Sequence, residues 1–203
     1  MQIKTILGVV ALTSLALVST GCAFGTRHAN ITYPPDPDHQ DAAANAKPAG
    51  SSGRVALQSF VDDRADKRLV GHVRNGFGMK TADVVSDQQD LSALVTGAVR
   101  AELQKAGYEV VGAEGKTEEG VPVLAGSLTR LYCDAYMNYE GEATLILRVQ
   151  RDGEEVYRKT YEGKGSAGMN WTATGASYGK SVSFAIVDAI EVMLRDLPTA
   201  LNQ

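Results

Sequence analysis

The stretch Ala143-Thr144-Leu145-Ile146-Leu147-Arg148-Val149-Gln150-Arg151-Asp152-Gly153-Glu154 decides the fold. Ala143, Leu145, Leu147 and Val149 alternate with Thr144, Arg148 and Gln150, the period-two pattern of a strand with one face buried and one in water. Asp152-Gly153 suits a two-residue hairpin turn, because both residues tolerate positive φ. The chain therefore folds back here, and Val156 to Tyr161 reads as the returning strand of a meander.

Working upstream, Val121 to Tyr132 and Tyr108 to Val111 read as strands, with a polar loop from Glu114 to Gly120 between them. Leu91, Leu94, Val95, Ala98, Val99 and Leu103 recur at helical spacing, which predicts a helix over about 87–106. Ser86 with Gln89 has the form of a capping box, and Gly107 supplies a left-handed stop. Glu102 falls on the apolar side of this helix; it reads as a last-turn side chain reaching back to water, the alternative being a buried functional carboxylate. Arg54 to Val61 forms a first strand, and Asn75-Gly76 marks a hairpin or long loop. Downstream, Gly163 to Gly179 reads as a glycine-rich loop carrying Trp171. A final helix is predicted over about 179–197, capped by Ser177 or Ser181, with Val182, Ile186, Ala189 and Met193 inward and Pro198 just beyond. The expected fold class is α+β: a two-layer sandwich with a mainly antiparallel sheet of about four to five strands and two helices on one face.

The N-terminus is of another kind. One cation, Lys4, precedes an apolar run from Ile6 to Val18, thirteen residues long. That is too short for a span of about 20 residues and reads as a signal-peptide core. Leu17-Val18-Ser19-Thr20-Gly21-Cys22 resembles a bacterial lipobox. The resemblance implies cleavage before Cys22, a diacylglyceryl thioether on its sulfur and an acylated amine, and three chains make release from a membrane negligible. Ala23-Phe24 lacks the aspartate of an inner-membrane retention signal, so the resemblance implies the outer membrane of a Gram-negative bacterium. From Ala23 to Gly53 the chain holds Pro34, Pro35 and Pro37 among acids, then alanines, then Pro48-Ala49-Gly50-Ser51-Ser52-Gly53. No apolar period is present, and a disordered tether averaging about 30 Å end to end is expected. The expected division is thus a signal peptide over 1–21, the lipidated cysteine and tether over 22–53, and a single periplasmic domain over 54–203.

Charge and cysteine content narrow the function. Removing residues 1–21 takes away Lys4 and no acid, leaving 19 Lys and Arg against 24 Asp and Glu. This balance offers no footprint for nucleic acid, which calls for a basic surface. With Cys22 lipidated, Cys133 has no partner within the chain and is either buried or joined to another molecule.

Gly175-Ala176-Ser177-Tyr178-Gly179-Lys180-Ser181 approaches a phosphate-binding loop but has three residues between its glycines, not four, with Thr174 where the first glycine belongs. His28, His39 and His72 have no second ligand at metal spacing, and nothing frames a nucleophile with a histidine and an acid. No catalytic residue, metal or cofactor is expected. Two segments read as contact surfaces instead: the charge run Asp62 to Arg68, with Asp63 and Arg64, and the crowd of Tyr132, Tyr136, Met137 and Tyr139. Trp171 joins them as an aromatic anchor in a glycine-rich loop.

The lipobox, Asp63-Arg64 and Asp66, Asp90-Leu91 opening a helix, Gly107-Tyr108 closing it, and Leu131-Tyr132 with Asp134 together resemble the YajG-like bacterial lipoproteins. The resemblance implies an envelope location and supplies neither activity nor site. The expectation is a non-enzymatic lipoprotein that binds an envelope protein complex, with a lipid- or glycan-handling accessory of envelope transport or peptidoglycan synthesis as the alternative.

Overall fold

The computed structural model describes residues 25–35, 53–113, 118–169 and 173–203. Its strands are β1 (Arg27–Ala29), β2 (Arg54–Leu57), β3 (Val61–Asp62), β4 (Leu69–Arg74), β5 (Lys80–Ser86), β6 (Glu109–Gly112), β7 (Val123–Ala135), β8 (Asn138–Arg151) and β9 (Glu154–Met169); helix α1 (Leu91–Lys105) follows β5 and α2 (Gly175–Ala200) follows β9. The decisive stretch behaves as its pattern requires. Leu145, Leu147 and Val149 are fully buried, and Asp152 and Gly153 turn the chain with φ of 53° and 88°, the paired positive values of a type I′ hairpin.

Strand β7 is the axis of the sheet. One edge pairs antiparallel with β8 from Val123↔Gln150 to Ala135↔Tyr139, and β9 continues outward from β8. The other edge meets three short strands in turn, all parallel: β2 at Ala56↔Val123, β3 at Val61↔Ser127 and β4 at Gly71↔Cys133. Strand β2 pairs onward with β6, and β4 with β5, which carries β1. The α+β class stands, but the expected four to five mainly antiparallel strands become, among the described residues, a nine-stranded mixed sheet. Alternation identifies a strand and is silent on the direction of its neighbour, while β1, β3 and β6 hold only three, two and four residues, too few to show a period.

Both helices lie on one face. Val95, Val99 and Leu103 of α1 and Val182, Ile186, Ile190, Met193 and Leu197 of α2 are buried with Leu124, Leu128, Leu131 and the inner residues of β8. Helix α1 starts later than its sequence suggests. Asp90 caps it, accepting from the Ala93 N–H at 3.0 Å, whereas Ser86 ends β5 and accepts from the Gln88 N–H at 3.0 Å; the capping box of Ser86 and Gln89 does not form. Gly107 provides the expected left-handed stop at φ 96°. Helix α2 is capped by Thr174, which accepts from the Ser177 N–H at 3.3 Å, and Pro198 sits inside its last turn.

The glycine-rich loop expected from Gly163 is largely strand and helix. A Cβ on Gly163 would lie 2.1 Å from the Ala185 carbonyl oxygen, and one on Gly165 2.1 Å from that of Ser181. The glycines are there because α2 lies directly on β9. The disordered tether expected over 23–53 needs a similar correction at residues 27–35. Strand β1 pairs with β5 at Arg27↔Val84, and Ala29 and Ile31 are fully buried. The physical reason is on α2: a Cβ on Gly175 would meet the His28 carbonyl oxygen at 1.8 Å and one on Gly179 that of Asn30 at 2.1 Å. The string that approached a phosphate loop is the seat of this N-terminal segment, and Ser183 Oγ adds a bond from the Thr32 N–H at 3.0 Å.

Candidate interaction surfaces

The charged turn between β3 and β4 is rigid. Arg64 is 7% exposed and grips Asp62 with two parallel bonds, Nε to Oδ1 at 2.9 Å and Nη2 to Oδ2 at 2.8 Å. Its remaining donors reach the Leu69 carbonyl at 3.1 Å and the Lys67 carbonyl at 2.5 Å. Asp66 closes the turn by accepting from the N–H groups of Arg68 at 2.9 Å and Leu69 at 3.1 Å. These backbone donors, Leu69 first, hold its carboxyl below the ordinary aspartate range. Arg64, expected as a contact residue, is thus the internal brace of the turn, while Asp63, Lys67 and Arg68 are exposed on it.

Beside this turn, between β3 and the connection from β5 into α1, lies an open cleft of about 300 Å³ lined by Phe60, Val61, Asp62, Lys67, Gln88 and Leu91 among others. Its floor is fixed from below, since Phe60 is buried and its N–H donates to Thr96 Oγ1 of α1 at 2.9 Å.

The tyrosine crowd divides. Tyr139 is buried, edge-on to Tyr178 at 5.1 Å. Tyr132 lies on the helix-free face between Arg130, 5.5 Å from its ring, and His72 at 5.6 Å. Ion pairs cover the same face: Arg74 with Asp134 at 2.7 Å, Arg130 with Glu142 at 2.7 Å and Lys80 with Asp83 at 2.6 Å. His72 Nδ1 approaches the same Asp83 oxygen at 2.9 Å but is out of line for a hydrogen bond. Tyr136 and Met137, by contrast, are 53% and 70% exposed.

Glu102 corrects the expectation that it reaches water, being 5% exposed. The Tyr33 hydroxyl donates to its Oε1, as does Lys105 Nζ at 2.7 Å. Burial first, then the bond to Glu102, pushes the Tyr33 phenol up to about 12. Burial works against the Lys105 charge, but bonds to Glu102 and Tyr33 outweigh it and its pKa is raised. This cluster clamps the N-terminal segment to α1, a role that the sequence hid because Tyr33 reads as tether.

Cys133 is fully buried, which pushes its thiol up to about 12. Among the described residues no group of three potential metal ligands occurs, and no helix is long and apolar enough to cross a membrane. Cys22 and Trp171, and with them the signal peptide and lipobox, lie outside the described residues.

No family model matches this sequence, and neither does any curated protein. Among solved structures, protein XCC0632 of Xanthomonas campestris, a DUF330 protein, superposes with a TM-score of 0.52 at 13% identity, over 88% of this chain and 95% of that one. At that identity the likeness shows the fold alone. Hypothetical protein CT253 of Chlamydia trachomatis gives 0.46 at 9% identity over 74% and 98% of the two chains, and lipoprotein GNA1162 of Neisseria meningitidis 0.32 at 17% over 75% and 96%. These last two superpose too loosely to bear on function.

Proposed function

We propose that the chain is a lipid-anchored protein of the bacterial cell envelope, attached through Cys22 to the outer membrane, whose domain faces the periplasm and docks an envelope protein complex without catalysing a reaction. The lipobox-like stretch before Cys22 supports the anchor, as does the resemblance to YajG-like lipoproteins. The observation that carries the docking reading is the cleft at the β3–β4 turn. A contact surface needs a pre-organised shape, since side chains and loops ordered only on binding reduce affinity. Here Arg64 and Asp66 order the turn in advance; Lys67 and half-exposed Val61 line the cleft beside buried Phe60, and Asp63 is exposed on the adjoining turn.

A glycan is the second reading, because Gln88, Gln89, Asp90 and Lys67 give the cleft polar groups around Phe60. Photo-crosslinking in living cells, with probes at Val61 and Lys67 and a control at Arg158, separates the two. A single protein captured at both cleft positions, absent at Arg158 and lost on Asp63→Lys, is the expected result. Glycan adducts alone support the second reading, and no adduct at either position contradicts both.

A further inference from the structure

Two chain reversals and a strand end come together at one end of the sheet. The β4–β5 hairpin brings Phe77 and Met79, the β7–β8 turn brings Tyr136 and Met137, and the end of β9 brings Met169, paired at Asn138↔Met169. They are 89%, 59%, 53%, 70% and 58% exposed, which leaves Val61 at the cleft as the one other large hydrophobic side chain exposed among the described residues. The two reversals, Asn75 to Met79 and Ala135 to Tyr139, and the last residues of β9, Ser166 to Met169, contain no charged residue. Tyr136 ties two of them together by donating to the Gly76 carbonyl at 3.1 Å. An apolar patch of this kind on an otherwise charged surface marks a contact with something apolar.

The path of the N-terminal segment says what that something is. Strand β1 runs parallel to β5, with Arg27 opposite Val84, and β5 begins at Lys80, beside the tip. The N-terminal end of β1 therefore points toward the tip. Cys22 is five residues before Arg27 and lies within roughly 18 Å of it whatever its conformation. The span from Cys22 to the fold is thus a few residues, not the thirty of a free tether.

We infer that the tip formed by Phe77, Met79, Tyr136, Met137 and Met169 is the membrane-contacting end of the domain, seated in the phospholipid surface that holds the acyl chains of Cys22. The inference rests on the anchor proposed above. Aromatic and methionine side chains suit the headgroup boundary, where an apolar body meets water. The β3–β4 cleft then faces away from the bilayer: Asp62 pairs with Leu128, eight residues below Tyr136 along β7, or about 26 Å at a strand's rise.

The test uses the full-length lipoprotein, purified from its membrane and reconstituted in phosphatidylethanolamine–phosphatidylglycerol vesicles. An environment-sensitive fluorophore is placed on a cysteine introduced as Phe77→Cys or Met137→Cys, both exposed, with Asp63→Cys as the control; buried Cys133 stays unlabelled. Flotation with the vesicles reports the anchor, and quenching by spin-labelled phospholipid reports contact. Flotation with at least threefold stronger quenching at positions 77 and 137 than at 63 is expected. Flotation with equal quenching at all three overturns the inference and leaves the anchor intact; failure to float overturns the anchor and the inference with it.

Discussion

At the scale of single residues, the described fold places its polar side chains where they brace backbone. Arg64 is the strongest case. Its bidentate pair with Asp62 is almost wholly removed from water, and Arg64→Ala would leave that carboxylate buried without its partner. Breaking a buried pair costs about 3–5 kcal/mol, so Arg64→Ala is expected to lower the denaturant midpoint correspondingly, with an unchanged slope; a shift under about 1 kcal/mol would contradict the brace. Tyr33 makes a prediction about alkali. Its phenol is raised above the ordinary tyrosine value near 10 to about 12, so the neutral form is favoured in the fold. That stability is complete below pH 10 and is lost as pH climbs from 10 through 12. Unfolding curves at pH 8 and 11.5 should show a smaller alkaline loss for Tyr33→Phe than for the natural protein. Cys133 predicts silence: in a Cys22→Ser variant, thiol reagents at pH 8 should find no reactive group until the protein is unfolded.

At the scale of elements, what the sequence made legible follows a simple division. Helix α1, the β7–β8–β9 meander and the Asp152-Gly153 turn carry their signals locally, in period and turn chemistry, and were readable. Strand β1 carries none. Arg27-His28-Ala29 is too short to show a period, and its extended state is imposed by β5 on one side and by the bare backbone of Gly175 and Gly179 on the other. The same contact explains why glycines that suggest a loop in sequence belong to packed elements. Of the candidate contact residues, Tyr136 and Asp63 are exposed, whereas Arg64 turns inward, which a count of charges cannot reveal. The element-scale prediction concerns α2 on β9: Gly163→Ala forces a Cβ into the Ala185 carbonyl. Overpacking of this sort costs roughly 1–3 kcal/mol or more, and thermal unfolding should show it, whereas Gly76→Ala, which meets nothing within 4 Å, should be nearly neutral.

At the scale of the molecule, the two proposed surfaces would fit one orientation, with the uncharged tip toward the bilayer and the cleft some distance above it. Both depend on the chain beginning at a lipid-bearing Cys22. Mass spectrometry of the N-terminal peptide from the membrane-extracted protein tests this most directly. The account predicts a mature chain that starts at Cys22 and carries a diacylglyceryl group on sulfur and an acyl group on its amine. A mature chain starting anywhere else, or an unmodified Cys22, would contradict it.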